Sequence, residues 1–175
     1  SVVNALSQYM EVEVSRDGNV YYQRYERGHT VCELKVIGKA STTGTKTTFK
    51  PDGEIFDTLI FSRETLLNRF REMAFLTKGL KIIIRDDRMD EPVEKTFHYE
   101  GGIKQFVEYL NKSKTPLYED IIYCEGVEND VVVEVAMQHN DSYSDNTYGF
   151  VNNITTPEGG THIVGFKNAL TKTFN

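Results

Sequence analysis

An α+β fold is predicted by three observations. Residues 10–15 and 20–25 alternate apolar and polar side chains with period two, and further strand-like runs lie at 30–37, 45–49, 80–86 and 93–99, whereas residues 62–76, 101–111 and 163–174 repeat apolar positions every three to four. The two periodicities occupy separate runs instead of alternating unit by unit, as expected when helices and antiparallel strands segregate into layers. Finally, 175 residues with 39% hydrophobic and 26% charged side chains are enough for a real core.

The elements follow in chain order. Val2, Val3, Leu6 and Tyr9 share one helical face, so residues 1–9 read as a helix without a capping sequence, one that begins upstream. Met10 to Ser15 and Val20 to Tyr25 alternate around the turn chemistry of Arg16-Asp17-Gly18-Asn19, which predicts a β-hairpin over residues 10–27. Thr30 to Ile37 and Thr45 to Phe49, separated by the polar Gly38 to Gly44 loop, complete an expected four-stranded meander. Ser62 caps a helix with apolar positions 66, 67, 70, 73, 74 and 76, and Gly79 stops it. Leu80 to Asp86 and Val93 to Tyr99 form a further hairpin, and Gly101 to Asn111 an amphipathic helix. Lys112 to Asp120, with Pro116, reads as a linker into a second unit. Strands are expected at Ile121–Glu125, Val131–His139 and Tyr148–Asn153, and Gly159-Gly-Thr-His162 opens a last helix that runs to the end without a stop signal. Both ends therefore read as cut, and the chain as an internal segment.

Composition excludes several classes. The net charge of −6 and the five basic against ten acidic residues in 101–175 leave no basic stripe for nucleic acid. No run approaches the ~18 apolar residues of a membrane span, and no leader opens the chain. Cys32 and Cys124 lie far apart in apolar runs, so a reducing compartment, and hence the cytoplasm, is expected. His29, His98, His139 and His162 lack metal-ligand spacing, and Asp86-Asp87 with Asp90-Glu91 read as a solvated turn. The glycines at 159–160 could expose amides to an anion but better suit a tight turn, and Lys104, Lys112 and Lys114 read as solvated. Residue chemistry alone stops at an α+β segment without its own catalytic constellation.

Five blocks carry a resemblance: Ser1-Val-Val-Asn-Ala-Leu-Ser7; Thr43-Gly44-Thr45 followed by Phe49-Lys-Pro-Asp-Gly-Glu-Ile-Phe56; Arg71-Glu-Met-Ala-Phe-Leu76; the His98 to Asn111 run; and Asn152-Asn-Ile-Thr-Thr-Pro-Glu-Gly-Gly-Thr-His162. In this order they resemble the B subunits of bacterial type II topoisomerases across the whole chain, and the Tyr-Glu-Gly-Gly-Ile-Lys and Glu-Met-Ala-Phe-Leu wording resembles the gyrase branch more than topoisomerase IV. The resemblance implies an ATP-driven DNA topoisomerase using ATP and Mg2+. Residues 1–99 would be the later part of a GHKL-type ATPase domain, an α/β sandwich of mixed sheet with helices on one face. Residues 100–175 would begin a transducer domain similar to the ribosomal S5 domain 2-like fold. The family's catalytic Glu, Mg-binding Asn and glycine-rich lid would precede Ser1 and its transducer Lys would follow Asn175, so these residues would not hydrolyse ATP alone.

The resemblance also assigns site residues. Thr45, otherwise a β-branched strand residue, matches the threonine that helps hold the adenine, with Gly44 as supporting backbone. Arg16, otherwise a turn residue, matches the arginine that receives coumarin antibiotics. Ser1 and Val2 would neighbour the phosphates. Implied partners are the gyrase A subunit and double-stranded DNA, with ATP-dependent homodimerisation of the whole protein and a monomeric segment. The alternatives are the topoisomerase IV paralogue, which decatenates, and a non-catalytic binding module.

Overall fold

The computed structural model describes residues 1–175, which form two compact units, Ser1–Phe61 and Ser62–Asn175. The first unit opens with a single helical turn, α1 (Val2–Ala5). It is shorter than the expected helix, and it is capped after all. The Ser1 hydroxyl accepts from Asn4 N at 3.3 Å, and Ser7 Oγ donates to the Val3 carbonyl at 2.6 Å. That bond satisfies a carbonyl of the turn, and β1 (Ser7–Arg16) starts there because Val12 and Val14 favour an extended chain.

β2 (Asn19–Glu26) pairs antiparallel with β1 through a turn in which Asp17 and Gly18 both take positive φ, 50° and 77°, a geometry that matches strand twist. The expected strand over 30–37 is broken into β3 (His29–Thr30) and β4 (Lys35–Lys39), both on the outer edge of β2. Between them the Arg24 amide donates to Cys32 Sγ at 3.2 Å in place of a ladder bond. β5 (Gly44–Pro51) then corrects the expected meander. It does not pair with β4 but lies along the far edge of β1, and every pairing in this sheet is antiparallel where a mixed sheet was expected. Edge availability explains the choice. β2 already has partners on both sides, whereas β1 offers ten residues to an eight-residue strand.

Register separates two faces of this sheet. Glu11 accepts from Arg24 Nη1 at 2.6 Å and Tyr22 Oη at 3.0 Å, and Lys46 pairs with Glu13 at 3.0 Å, all on one face. The other face carries Met10, Val12 and Val14 opposite Phe49, Thr47 and Thr45. Beyond β5, Asp52 is 3% exposed and receives Arg27 Nε at 2.7 Å and the Glu54 amide at 3.0 Å. Its own amide donates to Leu6 O at 3.1 Å, so one residue ties α1, the β2–β3 turn and the loop after β5 together.

The second unit begins with α2 (Arg63–Leu76), capped as expected by Ser62, whose hydroxyl accepts from Thr65 N at 3.3 Å. Ser62→Ala is expected to cost about 1 kcal/mol, read as a lowered denaturation midpoint. β6 (Lys81–Asp86) and β7 (Val93–His98) form the expected hairpin. In its turn Asp86 accepts from Arg88 Nε at 2.7 Å and Nη2 at 2.6 Å. The Arg88 hydrogen bonds, more than any other cause, hold the Asp86 carboxyl down to about 2. A depressed carboxylate contributes stability that is full above its ordinary pKa and is lost as pH falls through the folded value. Carbon NMR titration of Asp86 should therefore show a midpoint near 2 that rises toward the usual carboxylate value in Arg88→Ala.

α3 (Gly102–Asn111) closes the core of this unit. Phe75 and Phe97 are almost fully buried, and Phe75 stacks on Tyr99 at 3.7 Å and Phe106 at 5.1 Å between ring centroids. Residues 112–120, expected as a linker, are instead held by backbone hydrogen bonds, Leu117 N to His139 O and Asp141 N to Thr115 O, both 3.0 Å. β8 (Ile122–Glu128) and β9 (Val131–Met137) form a hairpin across the left-handed Asn129-Asp130 pair. The expected strand at 148–153 is two short ones, β10 (Phe150–Val151) and β11 (Ile154–Thr155), because Asn152 and Asn153 both adopt positive φ and reverse the chain. Gly159 and Gly160, at φ 76° and 149°, lead into α4 (Thr161–Phe174). The His162 ring lies over Gly160, where a Cβ would meet it at 2.9 Å. The glycines thus serve the turn, as the sequence suggested.

Candidate functional site

The structure brings Arg16, Gly44 and Thr45 together at one end of the first sheet. β1 and β5 run antiparallel in a register that sets Val14 opposite Thr45 and Ser15 opposite Gly44. Side chains alternate along a strand, so Arg16, two residues beyond Val14, shares a face with Thr45. That face is the one without the Glu11, Arg24 and Glu13, Lys46 pairs. Arg16 lies 29 positions before Thr45 in the chain, and only the unexpected placement of β5 beside β1 makes them neighbours.

Each of the three residues is open. The Arg16 guanidinium touches only the Asp17 carboxylate, Nε to Oδ2 at 3.5 Å, with both side chains about three-quarters exposed at 74% and 79%. An exposed pair of this kind holds its partners weakly, leaving the planar fork of donors available to carbonyl or carboxylate oxygens. A Cβ built on Gly44 would have nothing within 4 Å, so the backbone there can be approached closely. Thr45 is exposed, and its hydroxyl can donate and accept at once.

The neighbouring loop also belongs to this end of the sheet. Residues 40–43 cross from the β4 edge to the β5 edge over the β1–β2 turn, and Ala40 N donates to Gly18 O at 3.1 Å. Lys39 Nζ donates to Asn19 Oδ1 at 2.9 Å. No spacing in the sequence announces that pair, because its members are joined by sheet register and not by a motif. Open hollows lie elsewhere, beside Cys32 between Gln23 and Leu34 and at the Asp86–Val93 turn. No three His, Cys, Asp or Glu side chains converge anywhere to hold a metal ion. What remains is a binding edge of guanidinium, hydroxyl and bare backbone.

Comparison with known proteins finds similar chains. The chain is 52% identical over its whole length to the DNA gyrase B subunit of Bacillus mycoides and 53% identical to that of Halalkalibacterium halodurans. A family model described as DNA gyrase B matches residues 102–175. The chain is thus similar over its whole length to DNA gyrase B subunits.

Solved gyrase B structures share the fold. The 43K ATPase domain of Thermus thermophilus gyrase B, in complex with an aminocoumarin, superposes with a TM-score of 0.85 at 38% identity, over 96% of this chain and 46% of that one. The B subunit of the DNA gyrase from Myxococcus xanthus gives 0.85 at 25% identity, over 95% and 49%. The α+β class is therefore the one this gyrase B family uses. The chain spans 43% of the Bacillus relative and 28% of the Halalkalibacterium one.

Proposed function

We propose that these residues are part of the energy-transducing B subunit of DNA gyrase, an ATP-dependent type II topoisomerase. Identity near one-half over the full length of the chain carries the reading. The whole protein binds ATP, homodimerises, closes a gate around double-stranded DNA and, with the gyrase A subunit, introduces negative supercoils. Residues 1–99 are the later part of the GHKL ATPase domain and residues 100–175 the start of the transducer. Support for that division comes from the family model, whose match begins at residue 102 with α3. Two free cysteines suit a reducing cytoplasm.

Within this chain, Arg16, Gly44 and Thr45 form one wall of the ligand site. The Thr45 hydroxyl holds the adenine through a water, accepting and donating in turn, and the missing Cβ of Gly44 lets the base approach the strand. Arg16, at the mouth, offers its fork to the carbonyl oxygens of a coumarin inhibitor. The Thermus neighbour, solved in complex with an aminocoumarin, supports coumarin binding as such. ATP, when bound, supplies the phosphoanhydride whose hydrolysis drives the gate. We place no magnesium ligand among these residues, because Mg2+ is commonly held by one or two protein side chains together with substrate phosphates and waters, and these residues are not expected to hydrolyse ATP by themselves.

The test is a supercoiling assay of the whole B subunit with its A partner on relaxed circular DNA and Mg-ATP. Negative supercoils that require ATP are expected. Efficient decatenation without supercoiling would assign the chain to the topoisomerase IV branch instead, and no topoisomerase activity at all would leave only a binding module.

A further inference from the structure

Arg69 lies mid-way along α2, and its guanidinium reaches a segment far away in sequence. Nη1 donates to Thr155 Oγ1 and Nη2 to the Asn153 carbonyl, both at 3.0 Å. Glu72, one turn further along the helix, pairs with the same guanidinium and accepts from the Thr155 hydroxyl at 3.3 Å. Asn153 Nδ2 donates to Thr77 Oγ1 at 3.2 Å. From Arg69 onward α2, with Thr77 just past its end, thus grips the β10–β11 hairpin at its turn and its second strand.

That hairpin has two residues per strand and cannot hold its own position. It also leads straight into α4. Thr156 N donates to Gly149 O at 2.9 Å, and Thr156 Oγ1 contacts His162 Nε2 at 2.9 Å in the first turn of that helix. The grip on Asn153 and Thr155 therefore sets where α4 begins. The contacts are polar and partly wet, with Arg69 38% and Glu72 19% exposed, so they can be broken and remade at modest cost. A planar guanidinium nevertheless holds only one geometry.

We infer that Arg69 is a positioning residue that couples α2 to the hairpin and α4, so that displacement of the ATPase-side layer is passed into the transducer. The inference rests on the gyrase reading proposed above. α2 precedes the part matched by the family model, and the hairpin lies within it, so the clamp bridges the two.

The test uses the full-length B subunit with its A partner and records ATP turnover and supercoils introduced per ATP. In Arg69→Ala and Thr155→Val, turnover should stay near the wild-type rate while supercoils per ATP fall about 5-fold or more, the scale of an ordinary coupling free energy. Thr155→Ser, which keeps the hydroxyl, should restore the ratio. The double variant Arg69→Ala, Thr155→Val should be no worse than the poorer single one, since both remove the same contact. Arg69→Lys, which keeps the charge but cannot fork, carries the test if Arg69→Ala fails to fold. An unchanged ratio in these variants would overturn the inference, as would turnover and supercoiling falling in proportion. A wild-type protein without ATP-dependent supercoiling would overturn the functional reading itself, and the coupling role with it.

Discussion

Phe75→Ala is expected to destabilise the Ser62–Asn175 unit by about 3–5 kcal/mol, the range for removing a buried phenyl ring. The ring is 1% exposed and sits against Tyr99, Phe106 and Tyr109, with centroids at 3.7, 5.1 and 5.5 Å. Stacked and offset rings of this kind add attraction beyond the area they bury. The surrounding groups come from α2, the end of β7 and α3, so no single one can collapse into the space. Equilibrium urea unfolding followed by tyrosine fluorescence reads the loss. A cost below about 1 kcal/mol, as at a surface site, would mean that the aromatic stack is not the centre of this unit. Phe75→Leu, which keeps most of the volume, should recover a large part of the difference.

The second large effect is expected at Asp52. Replacing it by alanine removes a carboxylate that is 3% exposed, together with its bonds from Arg27 Nε and the Glu54 amide. Hydrogen bonds to a charged group are worth about 1.5–3 kcal/mol, and a loss in that range is expected for the Ser1–Phe61 unit. Arg27 keeps Glu54, at 2.5 Å, and is half exposed, which prevents the larger penalty of a stranded buried charge. Asp52→Asn preserves the shape and one acceptor oxygen and should recover part of the loss. A fully neutral Asp52→Ala would show that α1, the β2–β3 turn and the loop after β5 are fastened by other contacts.

The sequence announced local features well and long-range ones poorly, for physical reasons. Ser62 and the Asp17-Gly18 turn are decided by neighbours within a few residues, and each appears where expected, whereas the apolar spacing read over 66 to 76 passed over Phe75, which is buried with Ala74. The short α1 departed because Ser7 bonds back to Val3, a side-chain choice that periodicity does not record. The split of the 30–37 strand depends on a thiol meeting the Arg24 amide. The place of β5 depends on which sheet edge is free, a property of the whole sheet and not of residues 44–51. That one placement also builds the candidate site. Resemblance named Arg16, Gly44 and Thr45 individually, but that Arg16 and Thr45 share a face follows only from the β1–β5 register. The Arg27–Asp52 tie and the Arg69 clamp were invisible for the same reason, since their partners meet across 25 and 84 or more positions.

The site reading is tested most directly by calorimetric titration of an aminocoumarin into the full-length B subunit, comparing wild type with Arg16→Ala. Losing a charge-assisted hydrogen bond of about 1.5–3 kcal/mol corresponds to roughly ten- to hundredfold weaker binding, and that is the predicted result, with Thr45→Val weakening binding as well. Equal affinity in wild type and Arg16→Ala would contradict the account and remove this end of the β1–β5 sheet from the ligand site.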